Sequence, residues 1–250
     1  MINDSSVKNE AAKKRSEHIK YQLISDPDKV MNYHISRVLL RVVAEIASKK
    51  ANFKVLDVGC GRGELLAKLQ KQGYQTFGID IDTKCVELSS HYGEVYQVSI
   101  EEFVRRNPPN SFDVVIASHL LEHLPAPQEA LKNLMYLGKY GVLVAIPNPY
   151  YLLHIFRALF RMNPYQATAG HWYAWDYSHF KTFVERCGFS VRKWYYDSVS
   201  LPVYGAVRRS LGYRILNVIE GYVLRCLFPQ FCWSIIAHVI DPKMELIEEH

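Results

Sequence analysis

A doubly wound α/β fold built on a mostly parallel, seven-stranded sheet is what this sequence predicts, and three observations predict it. Short apolar, β-branched runs alternate with helix-length segments between residues 53 and 147. A glycine-rich loop follows the first of these runs and opens onto a helix. Two further strand-like runs near the C-terminus raise the strand count from five to seven.

The elements follow in order. Residues 1 to 25 mix Lys, Glu, Ser and Ala with few large apolar groups and read as a solvated helical arm. Val30, Ile35, Val38, Leu39, Val42, Val43 and Ile46 then recur at helical spacing, so a helix with one apolar face packs beside the core. Residues 1–50 are thus expected as N-terminal helices and 51–250 as the main domain. FKVLDV (53–58) is the first strand, and ELLAKLQKQ after Gly63 is a helix that stops at Gly73. QTFGID (75–80) is the second strand, DTKCVELSSHY its helix, and EVYQVSI (94–100) the third strand. FDVVIAS (112–118) is the fourth, PQEALKNLMYLG (127–138) the helix behind it, and GVLVAIP (141–147) the fifth. Strands separated by helices pair in parallel through right-handed crossovers. Beyond Pro149 aromatic residues dominate: YYLLHIFRALFRM is helical and HWYAWDYSHF is a loop entering the helix SHFKTFVERCG. SVRKWYYDSV (190–199) and CWSIIAHVID (232–241) supply strands six and seven. Helical insertions or lids are expected at about 150–180 and 203–228.

The 250 residues are 49% hydrophobic and 22% charged, enough to bury one large core. Lys and Arg number 30 against 25 Asp and Glu, a net charge of +5. That excess falls short of the clustered basic stripes of a nucleic-acid binder, so no nucleic-acid partner is expected. Five scattered cysteines (Cys60, Cys85, Cys187, Cys226, Cys232) suggest neither a disulfide framework nor a cysteine zinc site. With a polar N-terminal stretch and no run of about 18 apolar residues, they point to a reducing, cytoplasmic setting.

The loop D57-V-G59-C-G61-R-G63-E carries the chemistry. A nucleoside-triphosphate loop needs Lys-Ser or Lys-Thr after its last glycine, and none follows; the dinucleotide fingerprint needs G-x-G-x-x-G, whereas Gly59, Gly61 and Gly63 give G-x-G-x-G. Asp57, two positions before Gly59, repels a phosphate and attracts a cation. Asp80, at the carboxyl end of the second strand, can accept hydrogen bonds from both hydroxyls of a ribose. Ser99, Ile100 and Glu101 reach the same edge, where Ile100 can pack on an adenine face.

These residues resemble the class I S-adenosylmethionine-dependent methyltransferases. VLDVGCGRGE is similar to that family's glycine motif, GIDID to its second-strand acid, FDVVIASHLLEHL to its fourth-strand motif and GVLVAIPNP to its fifth. The resemblance spans about residues 53–150 and continues loosely through HWYAWDYSHFKTFVERCGF. It implies a Rossmann-like methyltransferase fold with S-adenosylmethionine as cofactor. It further implies Gly59, Cys60 and Gly61 under the methionine moiety, with Asp57 facing its amino group. Asp80 would hold the ribose, beside Ile81, while Ser99 and Ile100 would flank the adenine and Glu101 would supply the N6 contact.

SHLLEHL (118–124) contains His119, Glu122 and His123 in the zinc-peptidase order H-x-x-E-H. That chemistry needs a regular helix, and Pro125 and Pro127 follow at once, so no metal ligands are assigned. In the methyltransferase resemblance this is the turn after the fourth strand, where Ser118 faces the cofactor. Quinone-type O-methyltransferases carry an acid where His119 stands, and some hold a divalent cation there; Glu122 and His123 keep that option open. His119 or His123 can instead take a proton from an acceptor hydroxyl, although alignment in a dry pocket supplies much of the rate by itself.

Tyr150, His171, Trp172 and Tyr173 are expected to line the acceptor cavity, with His171 the foremost candidate for a chemical role; a plain hydrophobic plug is the competing account. LLHIFRALFRM and VYGAVRRSLGYRILNVIEGYVLRCLF mix apolar residues with Arg157, Arg161, Arg208, Arg209, Arg214 and Arg225. Such helices cap a core, meet a second copy of the chain in a homodimer, or lie on an anionic membrane over a lipid-linked substrate. The functional expectation is methyl transfer to oxygen of a small molecule, glycan or lipid-linked intermediate. A non-catalytic scaffold subunit and a nicotinamide oxidoreductase are the alternatives.

Overall fold

The computed structural model describes residues 36–48, 50, 52–161, 170–201 and 213–243. The expected arm over 1–25, Val30 and Ile35 of the first helical pattern, and residues 203–212 with Arg208 and Arg209 lie outside them, as does the side chain of Arg214.

The strands are β1 (Lys54–Val58), β2 (Gln75–Asp80), β3 (Glu94–Gln97), β4 (Val114–Ser118), β5 (Val142–Pro147), β6 (Ser190–Tyr196) and β7 (Ser234–Ile240). They form one sheet in the order β3-β2-β1-β4-β5-β7-β6. The first five pair in parallel and β7 runs antiparallel to both β5 and β6. All seven expected strands are present. Their alternation explains the two-sided core: Leu56, Val115, Val142 and Val144 face one layer, while Val55, Val114, Ile116 and Leu143 face the other.

Among the described residues the helices are α1 (Arg37–Ala47), α2 (Glu64–Lys71), α3 (Thr83–Ser89), α4 (Ile100–Arg106), α5 (Pro127–Leu137), α6 (Leu152–Leu159), α7 (Tyr177–Arg186) and α8 (Tyr213–Val218). Alpha-helical geometry gives way after α8 to a π-helical stretch, Ile219–Leu224, then returns over Arg225–Leu227. Buried residues of α4, α5 and α7 cover one sheet face; those of α1 and α2 cover the other. Val38, Leu39, Val42 and Val43 of α1 are buried, as the helical spacing predicts. Buried Asp113 ties the base of β4 to this layer, accepting from Lys54 N (2.9 Å) and pairing with Lys50.

The sheet corrects several strand boundaries: the sixth strand stops at Tyr196 rather than residue 199, and the fourth begins at Val114 rather than residue 112. The third strand stops at Gln97 rather than residue 100, because Ser99 caps α4 by accepting from Glu102 N at 3.3 Å. The sequence S-I-E-E is a capping-box pattern, and in this context it ends the strand. Between β1 and β4 the winding reverses, since the chain runs outward through β2 and β3 before returning to lay β4 against β1. In open α/β sheets such a reversal leaves a crevice at the carboxyl ends of the strands.

Candidate functional site

The loop after β1 is stitched to β2: Gly59 N and Cys60 N both donate to Ile79 O, at 2.8 and 3.1 Å. Two of its glycines serve different ends. At Gly63 (φ +83°) a Cβ would lie 2.9 Å from Cα and Cβ of Ser89, so packing requires glycine there. At Gly61 (φ +55°) a Cβ would meet nothing within 4 Å, so this glycine fronts open space. Asp80 reaches across to it. Its Oδ2 accepts from Gly61 N and its Oδ1 from Asp82 N, both at 2.9 Å, and a carboxylate keeps lone pairs for further donors.

Asp57 is 3% exposed. Burial, then the neighbouring Glu64 and Asp80, push its carboxyl up to about 8. Three carboxyl groups therefore crowd one loop, and Arg62 pairs with Glu64. This field opposes a pyrophosphate and suits a cation.

The remaining expected cofactor residues fall in different places. Cys60 points beneath the loop, its buried thiol 3.6 Å from Ser89 Oγ and pushed far up by burial, so only its backbone borders the open side. Ile81, just past Asp80, is 45% exposed. The Ser99 hydroxyl is engaged in the α4 cap, Ile100 is buried in the core layer, and Glu101 is exposed in the first turn of α4.

The turn after β4 holds Ser118, His119 and the 3₁₀ turn Leu121–His123. His119 adopts φ +52° while its N–H donates to Ala145 O at 2.9 Å. Because it sits outside any helix, His119 and His123 do not share a helical face, and the zinc-peptidase arrangement is absent. Ser234 Oγ donates to Ile146 O (3.0 Å), so His119 Nε2, 3.3 Å away, donates to Ser234 Oγ. That leaves Nδ1 directed toward Glu122, 3.5 Å from Oε1.

Glu122 is 1% exposed and neither of its carboxylate oxygens has a hydrogen-bond partner. Its backbone carbonyl accepts from Trp172 N at 2.8 Å, which lays the segment before α7 over the turn. His171 thereby meets His123 edge to face, ring centroids 4.6 Å apart. Burial, partly offset by Glu122, lowers His171 below the usual histidine range. Ligand-type atoms of Glu122, His123 and His171 lie within 4.8 Å of one another. The sequence order H-x-x-E-H could not reveal this group, because its third member arrives from a distant segment.

The aromatic stretch divides its labour. Trp175 is buried and stacks on Tyr173 at 5.0 Å, whereas Trp172 and Tyr150 stay exposed. Asn148, which sequence reasoning missed, is buried and donates to the carbonyls of Gln230 and Cys232, both at 2.8 Å, binding the end of β5 to the approach of β7.

A family model described as a methyltransferase domain matches residues 31–193, well over half of the chain. The chain belongs to the S-adenosylmethionine-dependent methyltransferase family. Curated relatives in this family include ubiquinone biosynthesis O-methyltransferases from Coxiella burnetii, 32% identical over 113 residues (43% of this chain, 47% of theirs). Those of Aliivibrio fischeri are 30% identical over 116 residues (44% and 49%). The chain thus spans about half the length of the curated relatives it matches. Among solved structures, a SAM-dependent methyltransferase from Archaeoglobus fulgidus aligns over 90% of this chain and 98% of its own, with a TM-score of 0.56 and 22% identity. Magnesium protoporphyrin IX methyltransferase from Synechocystis PCC 6803 with bound SAH aligns over 86% and 82%, TM-score 0.53, 18% identity. At these identities the likeness is one of methyltransferase fold.

The residues fit the cofactor of the methyltransferase family. Gly61 fronts space that a Cβ would enter, and the crowded carboxylates suit a ligand carrying ammonium and sulfonium charges.

Proposed function

We propose that this methyltransferase moves a methyl group from S-adenosylmethionine to a hydroxyl oxygen of a small-molecule acceptor. The observation that carries the reading is the pairing of Gly61, open above its Cα, with Asp80, whose carboxylate is fixed to Gly61 N. The names of the curated relatives support oxygen as the acceptor atom.

S-adenosylmethionine, when bound, supplies the activated methyl group. Asp80 takes the ribose hydroxyls, Asp57 faces the methionine ammonium, Gly59 and Gly61 admit the methionine backbone, and exposed Ile81 covers the adenine. Ser118 borders the methyl. His119 accepts the acceptor's hydroxyl proton at Nδ1, and Glu122 offsets the positive charge the ring gains. His123 and His171 wall the same space.

Isothermal titration tests the cofactor half: S-adenosylhomocysteine binds the wild type, and binding is lost in Asp80→Ala and in Gly59→Val. No heat from folded wild-type protein overturns it. A radiolabelled-methyl assay on a panel of phenols and catechols tests the other half; a chain that binds the cofactor, transfers nothing and copurifies with a stoichiometric partner is a scaffold subunit instead.

A second reading concerns the same turn. The buried carboxylate of Glu122, which has no hydrogen-bond partner, with His123 and His171 nearby, fits a divalent cation. Such an ion would lower the pKa of an acceptor hydroxyl. Cobalt titration separates the readings: visible absorption that is lost in Glu122→Gln, with activity abolished by a chelator, supports the ion, and chelator-resistant activity supports His119 as sole base.

Exposed Phe156, Leu159 and Phe160 on and after α6, with Ile215 and Val218 on α8 and Leu227 beyond it, favour a lipid-linked acceptor over a glycan. Among the described residues no helix is long and apolar enough to cross a membrane. All five cysteines are free thiols, which supports a cytoplasmic setting.

A further inference from the structure

A second concavity opens beside the turn that carries His119, on the α1 side of the sheet. Its volume is about 590 Å³. Arg37 and Arg41 of α1, one helical turn apart and on the same face, form one wall. The π-helical stretch Ile219–Leu224 forms another, with Arg225 at its end. Trp233 and Tyr151, ring centroids 5.1 Å apart, separate it from the turn, and the Trp233 ring stands 6.5 Å from that of His119.

Among the described residues the charge lining this cavity is unbalanced in a specific way. Two acids also line it, Asp197 and Glu220, but both are buried and each accepts a backbone N–H at 2.8 Å, from Ser198 and Leu201 respectively. Among the described residues no carboxylate forms an ion pair with Arg37, Arg41 or Arg225. Arg225 lies instead over the Tyr222 ring, 5.5 Å from its centroid. Three arginines thus line one hollow, none of them in an ion pair with a described acid, although Arg41 also feels Glu45 one turn along α1. Guanidinium forks match carboxylate and phosphate oxygens in bidentate geometry. The π-helical stretch adds to this, because such turns are rare and frequently occur at functional sites. Here it borders the cavity and coincides with buried Glu220 and with Gly221.

We propose that this cavity binds an anionic group, phosphate or carboxylate, carried by the methyl acceptor, and so holds the acceptor by its charged end while its hydroxyl reaches past Trp233 toward His119. The inference rests on the methyltransferase reading for the word acceptor; the anion site itself rests on the arginines and the cavity.

The test uses the full chain with S-adenosylhomocysteine present. Phenyl phosphate and benzoate are titrated by calorimetry against wild type, Arg225→Gln and the double variant Arg37→Gln/Arg41→Gln, and phosphatidylglycerol vesicles are compared with phosphatidylcholine vesicles in cosedimentation. Circular dichroism checks that the variants fold; the two α1 arginines are exposed, so the double variant serves if Arg225→Gln fails. Binding of a soluble anion that weakens about ten-fold or more on arginine removal supports the proposal, with S-adenosylhomocysteine affinity unchanged. Arginine-dependent binding of phosphatidylglycerol vesicles alone supports it with a lipid headgroup as the source. Equal binding by wild type and variants, or no binding of any anion by folded protein, overturns it. If S-adenosylhomocysteine does not bind while the anions do, the methyltransferase reading falls and the anion site stands.

Discussion

Asp57 couples the cofactor loop to protons. Its carboxyl, at about 8 in the folded chain against 3.8 for an ordinary aspartate, holds its proton at neutral pH because burial and two neighbouring acids disfavour the charge. Its contribution to stability is therefore fully present below 3.8 and is lost as pH rises through about 8. Urea unfolding of the free protein should show stability falling across that window by up to about 1.4 kcal/mol per pH unit, and Asp57→Asn should flatten the slope. Under the proposed function the same group meets the ligand's ammonium. Binding of S-adenosylhomocysteine near neutral pH should then release a proton, seen as a dependence of the calorimetric heat on buffer ionisation enthalpy, and absent in Asp57→Asn. His119 shows residue-scale logic of another kind: a hydroxyl already engaged with Ile146 O dictates which ring nitrogen donates.

At the scale of elements, the loop from β1 into α2 separates folding from binding. Gly63→Ala places a Cβ against the backbone of α3 at a left-handed φ, and should cost about 2–4 kcal/mol in urea unfolding. Gly61→Ala meets no protein atom, should cost only about 1 kcal/mol, and should nevertheless abolish S-adenosylhomocysteine binding, since the methyl enters the space assigned to the ligand. Equal stability losses with binding retained in Gly61→Ala would remove the cradle. The end of β3 was legible too: Ser99 followed by Glu102 is a helix start, and apolar Val98 and Ile100 masked it by extending the strand pattern. The left-handed backbone of His119 carried no such signal, because nothing local in SHLLEHL demands it; the ladder to Ala145 and the bond to Ser234 impose it.

For the whole molecule, apolar side chains on α6 and α8 remain exposed beside arginines, and the anion cavity lies between α1 and the π-helical stretch that follows α8. A membrane-facing role predicts flotation with phosphatidylglycerol liposomes, reduced several-fold by Leu159→Ser/Phe160→Ser and by about 0.3 M salt, which shortens the screening length of arginine–lipid attraction. No flotation at low salt would leave those faces to a protein neighbour. The sequence alone determined the α/β winding, the seven strands and the acids flanking the glycine loop, because strand alternation, helix caps and turn residues are written within a few positions of one another. Only the tertiary structure decided that Glu122 is sealed beside His123 and His171 with no hydrogen-bond partner for its carboxylate, that Cys60 turns under its loop, and that three arginines line one hollow. Those facts depend on which distant segments the sheet order brings together, and the packing of remote side chains leaves no periodic trace along the chain.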